Sequence, residues 1–233
     1  MRRRPVILIA LLLFALLLGV IADRTLDRRH LPWRSLDPDA RVGFATDLQL
    51  FRVSLSPSSV CKSLAEDAAS FMSSDAPAHR PMDPCGWDKA RNVRGGHDVS
   101  FSPQKATMQC PLALGTYIWI QEIDAAAQEH LGSGLARIQH AGAYSCRRQV
   151  GNNSGAWSEH AFANAWDIMG FELKDGRVIS VLKDWDGDKD RRKFLRDVRG
   201  SACKIFRVTL SPDFNAAHKD HFHVDMGPTI SCR

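Results

Sequence analysis

The sequence contains no C-x-x-C spacing, no internal repeat, no low-complexity tract and, beyond its first 35 residues, no excess of either charge. Each absence closes a route. Without closely paired cysteines, neither a thiolate zinc site nor a thioredoxin-type redox motif is available. Without a repeat, a stacked or bladed array is disfavoured. The charge balance excludes more. The net charge of +5 lies wholly in residues 1–35, which hold seven Arg against two Asp, while the remainder holds 24 Lys and Arg against 24 Asp and Glu. A nucleic-acid binder carries its basic excess on the folded domain, so DNA and RNA are discounted as partners.

Charge is also missing from Val6 to Ala22, a continuous apolar run preceded by Arg2, Arg3 and Arg4. A basic start followed by an apolar stretch is the pattern of an export segment. Two readings stand. Residues 1–22 form either a signal peptide, with the small Val20 and Ala22 ahead of a cleavage point before Asp23, or an uncleaved anchor in the inner membrane. Either is expected to place the rest of the chain outside the cytoplasm. The six cysteines, all beyond this segment, are expected to pair in an oxidising compartment. Six allow 15 connectivities, and the sequence does not choose among them.

Residues 23–56, rich in Arg, Asp, Leu and Pro without a sustained period, are expected to be a linker, and residues 57–233 the folded domain. Helices are expected at 59–73, at 111–131 with Pro111 at its start and Gly132 at its end, and at 188–199 with Asp188 near the N-cap. Strands are expected around a turn at Gly95-Gly96 and at 137–146, 163–173, 178–182, 204–210 and 222–226. Residues 77–84 are expected to be turns, and 151–155 a loop. The class is α+β: a small antiparallel sheet with flanking helices, preceded by one N-terminal hydrophobic helix.

Two stretches concentrate metal-binding chemistry. In the first, His160 precedes Asp167 by seven positions; in the second, His218, His221 and His223 follow one another closely. On an extended strand His221 and His223 share a face. Two imidazoles, joined by a histidine and a carboxylate from elsewhere, suit a tetrahedral zinc ion. A catalytic zinc leaves its fourth position to water and lowers that water's pKa to about 7. Taken alone, H-x-H and H-x6-D spacings also describe ordinary surface residues.

Ser158-x-His160-x-x-Ala163-x-Ala165-x-Asp167 resembles the S-x-H-x-x-G-x-A-x-D motif of zinc peptidases that include D-alanyl-D-alanine carboxypeptidases, penicillin-insensitive murein endopeptidases and the Hedgehog fold. His218-x-x-His221-x-His223 is similar to the second motif of the murein endopeptidases. Tyr144-Ser-Cys-Arg147, the segment from Ser158 to Ile168, Phe194-Leu195 and the segment from Asp213 to Asp225 resemble the bacterial extensin-like C-terminal domain family, over about residues 57–233. The resemblance implies zinc ligands at His160, Asp167 and His223. It implies His221 as general base or transition-state stabiliser, and Arg147 as a clamp for a substrate carboxylate. Ser158 and His218 would line the substrate site, and Asp220 and Asp225 would hold outer nitrogens of histidines. The partner would be peptidoglycan or its stem peptides. Two positions depart from the peptidase pattern: Ala163 stands for a glycine and His221 for the carboxypeptidase glutamate. A non-catalytic zinc-containing module, with His221 as fourth ligand, is the alternative.

Other features read as structural. The aspartates from Asp184 to Asp190 lack the glycine and glutamate of a calcium loop and are expected to turn into the following helix. Asn152-Asn-Ser154 fits a glycosylation acceptor that a bacterial chain rarely uses. Trp119 and Ile120 are expected in the core, and Cys146 in a disulfide.

Overall fold

In a computed structural model, residues 3–149 and 155–233 are described; the Asn152-Asn-Ser154 triplet and most of the expected 151–155 loop lie outside them. The chain opens with helix α1 (Arg3–Thr25), followed by α2 (Thr46–Ser54) and α3 (Ser58–Asp67). Strands β1 (Met72–Ala76), β2 (His79–Met82), β3 (Cys85–Trp87), β4 (Ala90–Gly96), β5 (Val99–Ser102) and β6 (Ala106–Met108) come next. After α4 (Cys110–Leu131) and β7 (Leu135–Gly142), a short 3-10 turn (Glu159–Phe162) leads into β8 (Ala165–Leu173). The chain ends with β9 (Val178–Ser180), α5 (Val181–Asp184), α6 (Lys189–Ala202), β10 (Val208–Leu210), β11 (Phe222–Asp225) and β12 (Ser231–Cys232).

The class is α+β, as expected. The main sheet runs β1-β4-β5-β7-β8-β11-β10-β12, with β6 added to β4 and β9 to β8. Its pairings are antiparallel except β5 with β7 and β10 with β12, so the sheet is mixed. Helix α4 lies at the centre. Residues from Pro111 through Ile120 are all buried, so it has no water-facing stripe along this half, the mark of a core helix. Pro111 sits in its first turn, where a missing N–H costs nothing, and Gly132 closes it at φ 65°. Helix α6 is amphipathic and packs Phe194, Leu195 and Val198 inward; the buried Trp119 indole N–H donates to the Val198 carbonyl at 3.2 Å. Asp188 caps α6 by accepting the N–H groups of Asp190 and Arg191. Asp184 and Asp186 pair with Arg191 and Arg196, so the acidic run is spent on helix entry.

Several expectations are corrected. The 59–73 helix ends at Asp67, because Ala68 is extended and Ser73 to Ala76 pair with β4; Arg91 secures that pairing through Asp75 at 2.8 Å and Ser73 at 3.1 Å. Part of the expected turn region 77–84 is strand β2. The hairpin turn falls at His97-Asp98, both at positive φ (51° and 62°), not at Gly95-Gly96. The glycines serve close approach instead: a Cβ on Gly95 would stand 1.9 Å from the Val99 carbonyl oxygen, and one on Gly96 2.6 Å from the Tyr117 ring. Residues 23–56, expected as a linker, contribute Leu36, Leu50 and Val53 to the main core. Three disulfides join Cys61 to Cys110, Cys85 to Cys146 and Cys203 to Cys232. Cys146 is therefore a structural half-cystine.

Candidate metal centre

Strand pairing creates the first half of the site. β8 and β11 are antiparallel neighbours in a register that sets His223 opposite Asp167. Alternation along β11 turns Phe222 and Val224 into the core and leaves His223 on the other face. His160 arrives from the 3-10 turn before β8. Ser158 caps that turn by accepting the His160 N–H, and Ala163 closes it in the left-handed region at φ 54°. This is a conformation that glycine adopts most freely and alanine only at some cost. The Cys85–Cys146 disulfide and a bond from the Ser145 N–H to the His160 carbonyl at 3.1 Å hold the segment before the turn.

His160 Nε2 lies 3.2 Å from His223 Nδ1 and 3.1 Å from Asp167 Oδ2, and His223 Nδ1 lies 3.0 Å from Asp167 Oδ1. Donors bonded at about 2.0–2.1 Å to a tetrahedral zinc stand about 3.3 Å apart, so the spacing fits the ion. The outer nitrogens support the same fit. His160 Nδ1 faces the Ala143 carbonyl at 3.3 Å, and His223 Nε2 faces Asp225 Oδ2 at 2.9 Å. With both outer positions facing acceptors, a neutral ring would carry its proton outward and turn its inner lone pair to a cation. His160, Asp167 and His223 are the cluster of candidate ligands found among the described residues.

The neighbours are ordered too. His221 Nδ1 pairs with Asp220 Oδ1 at 2.8 Å, and its Nε2 points toward Asp167 Oδ1 at 3.6 Å. His218 Nδ1 is held by Asn215 Oδ1 at 2.8 Å, with its ring 5.1 Å from that of His221. Arg147 is exposed and close enough for its charge to act on His218. Ser158, expected to line the substrate site, is buried and occupied with capping the turn.

Without an ion, charge is shared within the cluster. Burial alone would lower the His223 pKa, but hydrogen bonds to Asp167 and Asp225 override it and raise it to about 9. Burial would raise the Asp167 pKa, yet His160 and His223 hold it far below the usual carboxylate range. His218 is lowered to about 4 by burial, then by the charges of His221 and His223.

Two supports of the site carried no sequence signal. The Ala143 acceptor is a backbone carbonyl, which any residue supplies. The brace of Glu159, Asn164 and Met226 joins the His160 turn to the end of β11: Asn164 Nδ2 donates to Glu159 Oε2 at 2.6 Å, and the Met226 N–H donates to the Asn164 carbonyl at 3.2 Å.

A family model described as the extensin-like protein C-terminus matches residues 59–233. No curated protein and no solved structure matches the chain. The family match spans α3 to the C-terminus and contains every residue of the metal cluster, and on this ground the chain belongs to the extensin-like protein C-terminus family.

Proposed function

We propose that the chain is a zinc-dependent hydrolase of the bacterial periplasm that cuts a peptide or amide bond in peptidoglycan. The observation that carries this reading is the convergence of His160 Nε2, Asp167 and His223 Nδ1, with the outer ring nitrogens already engaged. The likeness of the two motifs to those of D-alanyl-D-alanine carboxypeptidases and murein endopeptidases supports the reaction class. Zinc would supply Lewis-acid activation of water and of the scissile carbonyl. His221, oriented by Asp220, takes the proton of the attacking water through Nε2 and passes it to the leaving amine. Arg147 offers an exposed guanidinium to a stem-peptide carboxylate. His218 lines the site as a neutral ring. The export segment and three disulfides support a location outside the cytoplasm.

The first test is metal content of the purified full chain beside its His160→Ala variant. About one zinc per chain, lost in the variant, supports the site and justifies digestion of defined muropeptides. No zinc in the wild-type chain after metal is supplied overturns the hydrolase mechanism. His221→Ala is expected to retain zinc and lose roughly 10²–10⁴-fold in turnover; unchanged turnover removes the role given to His221.

One observation favours a second reading, a non-catalytic zinc-containing module that binds wall polymer. His221 Nε2 is 3.6 Å from Asp167 Oδ1, near enough for a modest side-chain movement to make it a fourth ligand. Structural zinc sites are closed by four protein donors, whereas catalytic ones keep an open position. X-ray absorption of the zinc protein separates the two by counting imidazoles. A muropeptide left intact while a small ester is cleaved would instead indicate a different scissile bond.

A further inference from the structure

We propose that residues 24–55 form a rigid foot that seats the domain on the outer surface of the membrane spanned by α1, against anionic phospholipid headgroups. The proposal requires α1 to remain attached, and it is independent of the metal centre.

α1 has the length and composition of a span: Val6–Thr25 has a mean hydropathy of 2.9, and none of that stretch is buried against protein. The segment immediately after α1 is not a loose tether. Asp23, in the last turn of α1, accepts the Trp33 indole N–H at 2.9 Å and the Arg34 Nε–H at 2.7 Å. Leu31 is already 2% exposed. The buried Gln49 side chain donates to the carbonyls of Arg28 and Leu31, both at 3.0 Å. The Ala45 N–H closes on the Arg29 carbonyl at 3.2 Å. Arg41 forks onto Glu122 of α4 at 2.7 and 2.6 Å, and Leu50 and Val53 enter the core. The chain leaving α1 is therefore fixed to the domain within one short stretch.

The exposed side chains of this knot include several large apolar ones. Phe44 is 93% exposed, Leu26 52%, Trp33 50% and Leu48 44%. Phe44 is displayed by an ordered backbone, since its N–H donates to His30 Nδ1 at 3.2 Å. Arg24 and Arg28 are exposed, and neither forms an ion pair among the described residues. Aromatic and aliphatic side chains mixed with unpaired cations, immediately beyond a membrane span, match the chemistry of the headgroup layer. The six arginines of residues 24–55 outnumber the four aspartates, which favours anionic lipid, and continuity with α1 brings that layer close to the segment.

The test is reconstitution of the full chain into vesicles of phosphatidylethanolamine and phosphatidylglycerol containing a photoreactive phosphatidylglycerol, with adducts mapped by mass spectrometry. Expected are adducts at Trp33, Phe44 and Leu48 as well as along α1. Phe44→Asp, at a position outside the core, should cut the Leu48 adducts roughly tenfold, and replacing the anionic lipid with a photoreactive phosphatidylcholine should also reduce them. Wild-type adducts confined to residues 3–25 overturn the proposal and leave a protein as the occupant of this face. A mass showing that the chain isolated from native membranes begins after residue 22 overturns it as well.

Discussion

Two histidines of this domain, His223 and His97, are each packed among polar groups, and their titration shifts in opposite directions. His223 lies between two carboxylates, Asp167 at 3.0 Å and Asp225 at 2.9 Å, which raise its pKa against the effect of burial. His97 stacks on Tyr117 with ring centroids 4.2 Å apart, and its Nδ1 contacts only the Ser70 hydroxyl at 3.2 Å. Its Nε2 is buried with no hydrogen-bond partner among the described residues, and burial lowers its pKa below the ordinary value. A histidine and hydroxyls in one cluster are therefore not enough to make a site. A cation needs lone pairs directed at one point and negative charge beside them, and only the His223 cluster supplies both.

The largest expected effect breaks the comparison outright. His223→Ala or Asp167→Ala should abolish zinc binding, while His97→Ala leaves one zinc per chain; equal loss in all three, by metal analysis, would end the distinction. Asp225→Asn should keep the metal but weaken it about 10–100-fold, because it loosens the hold on the outer nitrogen of His223; competition with a chromogenic chelator measures this.

The next effect is a pH dependence with a definite sign. In metal-free protein the folded His223 pKa of about 9 exceeds its ordinary 6.5. Its stabilising contribution is complete below 6.5 and is lost as pH rises through about 9. Asp167 works the other way: its folded pKa is depressed, so its contribution is present above 3.8 and lost on acidification. Chelated protein should therefore be most stable between about pH 4 and 6.5 and lose on the order of 2–3 kcal/mol by pH 9. Zinc-loaded protein should show no such loss, because zinc binding is favoured as the His223 proton leaves. Thermal melts with and without chelator, across that range, check both curves. Parallel curves would mean that His223 is not the proton's home.

Smaller effects sharpen the contrast. His97→Ala should cost about 1–2 kcal/mol through the lost stack on Tyr117, with turnover unchanged. Ala163→Gly relieves a left-handed alanine but removes a buried methyl and adds chain entropy. The terms oppose, and urea melts should move by less than about 1 kcal/mol.

The sequence was most legible where one signal governs one element. Pro111 and Gly132 bracket α4, Asp188 caps α6, and alternation marks β8 and β11. Residues 72–82 were obscure because β1 and β2 are largely exposed strands without a buried face to impose alternation. The 23–56 stretch misled for a related reason. It holds helix α2, whose buried positions Thr46, Gln49, Leu50 and Val53 have helical spacing but are half polar, which blurs the hydrophobic period; the rest is closed by side-chain-to-carbonyl bonds such as those of Gln49. At the site, spacing marked the two histidine-bearing stretches, and the family resemblance singled out His160, Asp167 and His223 within them. The partner of each outer nitrogen and the capping use of Ser158 emerged only from the geometry.

The pairing of His223 with Asp167 also makes the site sensitive to alignment. Side chains alternate across a strand, so a slip of β11 by one residue would turn His223 into the core and bring Phe222 to the metal face. The donors would then be parted and an apolar ring would replace an imidazole. A chain that bound zinc through these residues would thus have aligned its central strands correctly, and the ion would act as an inspector of assembly, retained only by molecules whose two central strands meet in step.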